Sequence, residues 1–352
     1  MYLRMIFIIE NKRFIASPCI GDEMKNVSMN GIFSRNVEIF ISLAKTKSFQ
    51  KTASIFGLST SSISRELVTL ENKLKVTLVD RSCRPLILTP EGRKLLSELI
   101  PIMNESQRAV ALAREASNFH PSLRIGFIDS FSYDVVPQFI TMMQSKISKF
   151  ICLTGGADRL VERLLSHEVD VILTINPCFE IPDLRRHLLL REPSVLIFPK
   201  SQYDFRRYFR SWEDLAHCGL PFIRNYSFSG GGQLESQHLT THDLKLMGTI
   251  QTDNNGLRIK LVSDGKGWAI VRPLTLLQHE KLLSKLTIYS VPSPLIERKV
   301  YILGRSNISV DLYRDIVDSL ANILNSEVIP RLTEIFSPTI VKSIEVYPYT
   351  NK

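Results

Sequence analysis

Three short amphipathic stretches, separated by turn residues, occupy Val37–Leu74 and constrain the fold of this chain more than any other feature. The first stretch places apolar residues at i, i+3, i+4 and i+7 from Val37, the spacing of one helix face. Ser48 and Ser59 offer N-caps for the second and third stretches, and Gly57 ends the second as a C′ glycine does. A connection that short forces the second and third helices to cross steeply, so the pattern predicts a helix-turn-helix.

The third predicted helix presents polar side chains at its start. Its buried face is expected to comprise four apolar residues, Ile63, Leu67, Leu70 and Leu74. Its outward face then comprises four polar residues, Thr60, Ser61, Ser64 and Arg65. Short hydroxyl donors and one guanidinium suit a helix whose N-terminal end enters a DNA major groove. The alternative is a plain three-helix bundle without a role in DNA binding, which has no need of these hydroxyls.

Two β-prone runs around a basic loop follow the third helix. The runs Val76–Val79 and Leu86–Thr89 predict a hairpin, which is the wing of a winged helix. Arg81 and Arg84 lie on the loop, where they can reach phosphates or the minor groove. For Arg81 the alternative is an ion pair with a nearby acid such as Glu71.

A long helix is predicted after the wing, because Thr89–Gly92 combines a hydroxyl cap, a proline at the first helical position and an early acid. Apolar and small residues then recur in steps of three and four, a heptad seam suited to pairing two copies of the helix. The seam comprises Leu96, Leu99, Met103, Ser106, Val110 and Ala113. We expect dimerisation through Leu96, Leu99, Met103 and Val110; the alternative is packing on the same subunit. Pro101 is expected to kink or divide the helix.

From Leu123 onward the pattern changes to alternating strands and helices, which indicates α/β architecture. The expected strands are Leu123–Ile128, Ile151–Thr154, Val169–Thr174, Val195–Phe198, Phe222–Arg224, Thr249–Thr252, Trp268–Val271, Leu286–Tyr289 and Val300–Leu303. The expected helices are Val135–Met143, Ala157–His167, Asn255–Ser263 and Leu312–Leu324. About 200 residues of this kind fit two α/β lobes with a cleft between them.

These patterns predict five consecutive parts. Residues 1–35 lack periodicity and are either a disordered extension or precede the true start of translation. Residues 36–92 form the winged helix-turn-helix, and residues 93–121 the linker helix and hinge. Residues 122–332 form the two-lobed domain, with lobe I at 122–197 and 293–332 and lobe II at 198–292. Residues 333–352 are expected to be a C-terminal tail.

Charge is concentrated near the start of the chain. Residues 1–120 carry 17 Lys and Arg against 11 Asp and Glu, whereas the rest carries 27 against 24. A basic first third favours a polyanionic partner. The five cysteines are scattered without a close pair, which fits a reducing compartment rather than a disulfide framework or zinc site. No apolar run approaches the roughly 20 residues that span a bilayer, so we expect a cytoplasmic protein without a membrane partner.

The run from Phe40 to Gly92 strongly resembles the DNA-binding domain of LysR-type transcriptional regulators. The matching residues are Ser48-Phe49, Ala53, Ser59, Ser64-Arg65, Leu70-Glu71, Arg81 and Leu88-Thr89-Pro90-Glu91-Gly92. A weaker resemblance continues through the α/β region, at the Leu123 strand, Val169–Ile172 and Leu261–Ile270, so that it covers roughly residues 37–332.

The resemblance implies an α/β chain with an N-terminal winged helix-turn-helix, a long linker helix and a two-lobed effector domain like that of periplasmic binding proteins. It implies a homodimer or homotetramer that binds double-stranded DNA and a small-molecule effector and contacts RNA polymerase. The implied DNA contacts are Lys51, Ser59, Thr60, Ser61, Ser64, Arg65, Arg81 and Arg84. Many members have Gln-Pro or Gln-Ser where this chain has Thr60-Ser61, so its base preference should differ.

By the same resemblance, an effector binds between the lobes. The implied lining comprises Ser130, Phe131, Ser132, Thr154, Gly155, Arg224 and Tyr226. Serine hydroxyls and backbone N–H groups at a helix start suit a carboxylate or phosphate, and Arg224 would supply the opposite charge. The alternatives are that the serines only cap the helix and that Arg224 faces solvent.

Other chemistries find little support in the sequence. Ser229–Gly232 lacks the Lys-Ser/Thr of a phosphate loop and is expected to be a flexible connector. His238 and His242 have a spacing that can share a metal ion, but no third ligand is evident. We therefore predict no cofactor, no metal site and no catalytic residues. The rival hypotheses are a solute-binding module whose helical front only dimerises it, and an enzyme on the two-lobed scaffold.

Overall fold

A computed structural model describes residues 7–10, 13–16, 33–83, 85–114, 121–200, 209–246, 248 and 250–349. The chain divides into two compact units. The first comprises Met1–Pro121 with Leu165–Glu168, and the second comprises Ser122–Leu164 with Val169–Lys352. Arg84, predicted to contact DNA, lies outside the described residues.

The first unit is mainly helical. Its elements in chain order are β1 (Phe7–Glu10), β2 (Arg13–Ala16), α1 (Arg35–Thr46), α2 (Phe49–Phe56), α3 (Thr60–Leu74), β3 (Val79–Asp80), β4 (Ile87–Leu88) and α4 (Pro90–Arg114). Strands β1 and β2 pair antiparallel within the segment where the sequence shows no periodicity. Strands β3 and β4 also pair antiparallel, which confirms the predicted wing, although each strand has only two residues.

Local capping groups set the helix boundaries as predicted. The Ser48 hydroxyl accepts from the backbone N–H of Lys51, and the Ser59 hydroxyl accepts from that of Ser62. Gly57 adopts φ 62°, the left-handed conformation that ends α2 at little steric cost. Each cap satisfies a donor or acceptor that a helix end leaves without an intrahelical partner. The turn between α2 and α3 is therefore encoded within a few residues.

The helices pack around a hydrophobic core, and the apolar periodicity of α3 predicted only some of its contribution to that core correctly. Ile63, Leu67 and Leu70 are buried as predicted, but Leu74 is 45% exposed. Burial of Leu74 was therefore a wrong prediction, because α3 ends there and Lys75 adopts a left-handed φ of 57° that turns the chain away. Leu78 is fully buried in the same core.

Helix α4 begins at a tight contact with the wing. Thr89 Oγ1 accepts from the Gly92 N–H at 2.9 Å and donates to the Thr77 carbonyl at 2.7 Å. A Cβ at Gly92 would lie 2.0 Å from the Leu78 carbonyl oxygen, so only glycine allows this approach. The predicted hydroxyl cap is thus confirmed, and it also joins the helix to the wing.

Pro101 lies within one continuous helix of 25 residues, so it does not divide α4. On the seam, Met103 is buried in the core of the first unit, and Leu96 and Leu99 pack against that core. These three residues therefore pack on their own subunit, which was the alternative to dimerisation. Ile102 remains 55% exposed.

The second unit has α/β architecture. Its strands are β5 (Ser122–Ile128), β6 (Lys149–Gly155), β7 (Val171–Thr174), β8 (Leu184–Pro193), β9 (Val195–Pro199), β10 (Ile223–Asn225), β11 (Ile250–Thr252), β12 (Ala269–Val271), β13 (Leu286–Ser290), β14 (Glu297–Arg305) and β15 (Glu345–Val346). Its helices are α5 (Val136–Met143), α6 (Ala157–Leu165), α7 (Trp212–Ala216), α8 (Gly230–Thr241), α9 (Asn255–Ser263), α10 (Pro273–Leu277), α11 (Glu280–Leu283), α12 (Val310–Ile323), α13 (Ile329–Ile335) and α14 (Pro338–Lys342).

The strands build two lobes. Lobe I contains a six-stranded sheet of order β15-β8-β14-β7-β5-β6, in which β5 pairs parallel with β6 and β7. Lobe II contains β12-β9-β13 and the parallel pair β10-β11. Among the described residues β9 pairs with β12 and β13 of lobe II, so the first crossing falls at Ser194 rather than after residue 197. There Ser194 donates from its N–H and its hydroxyl to the Ile296 carbonyl on the returning crossing.

One strand and one connector of the second unit also differ from the sequence predictions. Strand β8 lies where no strand was predicted. The predicted connector Ser229–Gly232 instead starts α8, because the Ser229 hydroxyl accepts from the Gly232 N–H. A Cβ at Gly232 would lie 1.9 Å from the Tyr226 carbonyl oxygen, so this glycine serves close packing rather than flexibility.

The predicted tail is also structured. Strand β15 pairs with β8 and extends the sheet of lobe I. Phe336, Ile340 and Ile344 are buried. The prediction of a tail after residue 332 was wrong for this stretch, since short apolar segments carry no signal of the edge strand that receives them. None of the described helices is long and apolar enough to span a membrane.

Candidate DNA interface and ligand cavity

The exposed start of α3 carries most of the predicted DNA-contacting side chains. Ser59, Thr60, Ser61 and Arg65 are exposed, and so is Lys51 on α2. Ser64 is only half-buried rather than fully outward. We call the exposed residues Ser59, Thr60, Ser61 and Arg65 at the start of α3, together with the half-buried Ser64 and the exposed Lys51 of α2, the α3 surface.

The hydroxyls of the α3 surface are linked to one another. Ser59 Oγ lies 2.8 Å from Ser61 Oγ and 2.9 Å from Ser62 Oγ. Arg65 Nη2 donates to Ser62 Oγ over 3.5 Å, a long contact that restrains the guanidinium only weakly. Arg65 is thus an exposed and weakly restrained cation in the first two turns of α3.

Arg81 on the wing is held by the carboxylate of Glu71 on α3. Arg81 Nη2 lies 3.0 Å from Glu71 Oε2, so the ion pair named as an alternative is present. Glu71 Oε1 also accepts from the N–H groups of Leu78 and Val79 at 2.8 and 3.3 Å. Arg81 remains 41% exposed, and the ion pair therefore positions it without removing it from solvent.

A cavity of about 120 Å³ lies between the two lobes of the second unit. Of the predicted effector residues, Ser130 and Gly155 line it. The other five do not: Phe131, Ser132, Thr154, Arg224 and Tyr226. Phe131 is fully buried in the protein core, because it packs inward from the short 3₁₀ turn that follows β5. These five predicted residues therefore lie outside the lining of this cavity.

Arg224 and Tyr226 lie on lobe II outside the cavity. Arg224 Nε faces Glu235 Oε1 at 3.5 Å, and its Nη2 donates to Ser236 at 3.1 Å. Tyr226 is 46% exposed and its ring contacts that of Phe228. Arg224 therefore neither lines this cavity nor simply faces solvent, because it contacts Glu235 within its own lobe.

Three arginines that sequence reasoning missed line the cavity: Arg258, Arg272 and Arg298. Arg298 donates to the Ser130 hydroxyl at 3.0 Å and pairs with the fully buried Glu192. The hydroxyl predicted to bind a ligand is thus engaged by an arginine. A signal was present in the sequence, because Arg258 lies at i−4 from Val262 on the buried face of α9.

These guanidinium groups are buried and incompletely hydrogen-bonded. Arg258 is 3% exposed, and burial lowers its pKa to about 10. Burial, followed by the charge of Arg298, likewise lowers the pKa of Arg272 to about 10. Among the described residues, the buried Nε and Nη1 of Arg258 and the Nη1 of Arg272 have no hydrogen-bond partner. Buried donors without acceptors are costly, so an acceptor placed in the cavity would stabilise these guanidinium groups.

Glu235 is a second buried acid beside this arginine group, in addition to Glu192. It is 2% exposed and its Oε2 lies 3.9 Å from Arg258 Nη1. Burial raises the pKa of Glu235, while Arg258 and then Arg224 act in the opposite direction. Arg272 forms no ion pair in the part of the chain that the structure describes.

Helix starts from both lobes border the cavity. Gly155 and Gly156 precede α6, and Gly230 and Gly231 begin α8. A Cβ at Gly230 would lie 3.3 to 3.4 Å from side chains of lobe I, so the lobes meet closely there. Helix N-termini carry partial positive charge, and the cavity therefore combines dipoles and guanidinium groups that favour an anionic group.

Metal and thiol chemistry find no assembled site among the described residues. No group of three or more His, Cys, Asp or Glu side chains there is arranged to hold a metal ion. The rings of His238 and His242 lie 4.6 Å apart. Cys83, Cys152, Cys178 and Cys218 are free thiols, and burial raises the pKa of Cys152 to about 12.

A winged helix with an exposed polar recognition helix, in one chain with a two-lobed ligand-cavity domain, defines a class: ligand-responsive DNA-binding regulators. Residues 34–93 match the family model of the bacterial regulatory helix-turn-helix protein, lysR family. Residues 116–320 match that of the LysR substrate binding domain. The chain belongs to the LysR family of transcriptional regulators, which are not enzymes.

Relatives extend along most of the chain at low identity. The HTH-type transcriptional regulator YfeR of Shigella flexneri is 23% identical over 279 residues, which are 78% of this chain and 89% of that protein. A probable RuBisCO transcriptional regulator of Phaeodactylum tricornutum is 26% identical over 286 residues, 77% of this chain and 90% of the relative.

Solved structures share the fold. Full-length CbnR in complex with its target DNA superposes with a TM-score of 0.60 at 16% identity, covering 82% of this chain and 99% of CbnR. A Corynebacterium glutamicum OxyR mutant superposes with a TM-score of 0.53 at 20% identity, covering 86% of this chain and 96% of the OxyR chain. At these identities the likeness concerns the fold alone.

Proposed function

We propose that this LysR-family protein is a cytoplasmic, sequence-specific regulator that binds DNA as a homodimer or homotetramer. A small effector with an anionic group binds between its lobes, and this binding changes how the protein bends DNA and contacts RNA polymerase. The observation that carries the DNA-binding part is the exposed α3 surface. Arg65 and Lys51 supply phosphate or base contacts, and the serine and threonine hydroxyls supply short donors.

The proposed anionic effector group is supported by the cavity walls. Arg272 lacks an ion pair within the described residues, and Arg258 has two buried nitrogens without acceptors. An oxyanion supplies several acceptors at once and compensates the buried positive charge. Arg258 and Arg272 therefore replace Arg224 as the proposed counter-charges for the effector.

The proposed oligomer uses α4. Leu96, Leu99 and Met103 contact the core of their own unit along one side of the helix. Ile102 is 55% exposed and Val110 is half-buried, so this part of α4 can pack against a second copy. The DNA-bound CbnR structure is consistent with a role in DNA binding for this fold.

The test is selection of genomic fragments by the purified chain, followed by binding titrations at two salt concentrations. We expect specific fragments to be retained and the affinity to fall steeply with salt, because phosphate contacts release counterions. Neighbouring genes of the selected fragments would then suggest effectors to add. If no fragment is retained above non-specific DNA at either salt concentration, the proposal fails.

A further inference from the structure

Two carboxylates from opposite lobes lie at the outer edge of the cavity. Asp129 follows β5 in lobe I, and Asp253 follows β11 in lobe II. Both residues are exposed, and neither forms an ion pair within the described ranges. Loss of water at the cavity wall, and then the charge of Asp253, raises the pKa of Asp129. Because the two carboxylates carry like charges on opposite lobes, their repulsion opposes closure of the cleft.

The inner wall of the same cavity has the opposite sign. Arg258 and Arg272 present buried nitrogens without acceptors, and the first turns of α6 and α8 present backbone N–H groups. Arg298 adds little free charge, because Glu192 already pairs with it. Glu235 offsets part of the charge of Arg258, which leaves Arg272 as the uncompensated cation among the described residues of this wall. The cavity is therefore polarised, with cationic groups inside and carboxylates at the mouth.

The space between these walls is small. The cavity has a volume of about 120 Å³. A cavity of about 150 Å³ is known to accept benzene, which has six heavy atoms. The ligand that fits without opening the lobes thus has about six heavy atoms.

We propose that the ligand of this cavity is a small zwitterion, an α-amino acid of about the size of alanine. This proposal rests on the function proposed above and names the ligand class for it. The carboxylate of the amino acid lies on Arg258, Arg272 and the starts of α6 and α8, and its ammonium group lies between Asp129 and Asp253. A simple anion of the same size leaves the two carboxylates uncompensated, and a simple amine leaves the arginine donors unsatisfied.

The proposal also explains how binding holds the lobes together. The ammonium group replaces the repulsion between Asp129 and Asp253 with two attractions, one to each lobe. The carboxylate joins Arg272 and Arg258 of lobe II to the α6 start of lobe I. The zwitterion therefore favours the closed arrangement through contacts that it makes only when both lobes surround it.

The test is calorimetric titration of the full chain with glycine, L-alanine and L-serine, compared with propionate, ethylamine and inorganic phosphate. We expect at least one of the amino acids to bind about tenfold more tightly than propionate, a difference of about 1.4 kcal/mol, because it makes an additional charged hydrogen bond. Propionate or phosphate binding as tightly as the best amino acid would overturn the proposal. Failure of all three amino acids to bind would also overturn it.

Charge-removing variants assign the two ends of the ligand. Asp253→Asn lies at the exposed mouth, and we expect it to weaken amino-acid binding about tenfold without weakening propionate. Arg272→Gln should weaken the binding of both the amino acid and propionate. Asp311→Asn removes a carboxylate that is 88% exposed on α12, and it should change neither. Equal loss of amino-acid and propionate binding in Asp253→Asn would contradict the placement of the ammonium group.

A separate DNA titration distinguishes this proposal from the proposed function. If the chain binds selected DNA but no amino acid, the regulator proposal stands and the ligand class is wrong. If an amino acid binds but no DNA fragment is retained, the ligand class stands and the regulator proposal is wrong.

Discussion

Glu71 on α3 and Arg81 on the wing form an ion pair, with Arg81 Nη2 3.0 Å from Glu71 Oε2. The same carboxylate accepts from the backbone N–H of Leu78 through its other oxygen. One side chain thus connects the recognition helix to both the base of the wing and its arginine. This geometry explains why the wing keeps its position although its strands have two residues each.

The first prediction concerns this connection. Glu71→Ala should destabilise the wing by about 1–3 kcal/mol, because the Leu78 N–H loses its acceptor in a partly buried place. Glu71→Gln keeps an acceptor oxygen and loses only the exposed ion pair, so we expect about 1 kcal/mol or less. Hydrogen exchange of peptides covering residues 77–89 measures the difference. Equal exchange in the alanine variant and the unchanged protein would show that Glu71 does not hold the wing.

The second prediction concerns Arg65. Arg65→Ala should weaken specific DNA binding by about 1–3 kcal/mol, since its guanidinium is exposed beside the start of α3 and is only weakly restrained. Footprinting titrations measure the loss. Arg314→Ala removes an arginine from α12 in the second unit and should bind DNA normally. A footprint of Arg65→Ala identical to that of Arg314→Ala would remove Arg65 from the proposed interface.

The third prediction concerns the contact between α4 and the wing. Gly92→Ala would place a Cβ 2.0 Å from the Leu78 carbonyl oxygen, so the helix or the wing must shift. Forced shifts in packed regions cost about 1–3 kcal/mol. We expect faster exchange in peptides of the wing and the first turns of α4. Ser97→Ala, on an exposed position of the same helix, is the control and should exchange like the unchanged protein.

The fourth prediction concerns pH. Burial raises the pKa of Glu235 above its unfolded value, so its effect on stability is most favourable at low pH and is lost as the pH rises through the folded pKa. Glu235→Gln mimics the protonated acid. We therefore expect the free energy of unfolding of this variant, relative to the unchanged protein, to increase between pH 4 and pH 7.

Urea unfolding followed by tryptophan fluorescence measures this difference, because Trp212 and Trp268 both lie in lobe II. Glu213→Gln changes an exposed acid of the same lobe and serves as the control. A constant difference between Glu235→Gln and the unchanged protein across this pH range would contradict the predicted direction of the pKa change.

Sequence patterns predicted the helices of the first unit well because their signals are local. A serine cap and a C′ glycine act within four residues, and the periodicity of α3 correctly buried Ile63, Leu67 and Leu70. The exception is Leu74. It is the last residue of α3, and the chain turns away at Lys75, so helical periodicity no longer predicts its burial. The α3 surface could therefore be predicted from the sequence almost residue by residue.

The ligand cavity could not be predicted in this way. Its walls come from segments far apart in the chain, such as Ser130 after β5 and Arg298 on β14. The sequence does place one charged residue, Arg258, on the buried face of α9. This position predicts that Arg258 is buried, but it does not predict which residues contact it. The family resemblance implied which sequence positions bind the effector. Which side chains face the cavity, however, depends on how the two lobes close.

The order of amino acids by itself determined the winged helix, its caps and the alternation of strands and helices, since these depend on spacing and on groups a few residues apart. Only the tertiary structure decided that Arg258 and Arg272 line the cavity, that Gly230 brings the lobes into contact and that the last residues join a sheet edge. The physical reason is distance along the chain: a buried charge or an edge strand acquires its partners from segments brought together only by folding.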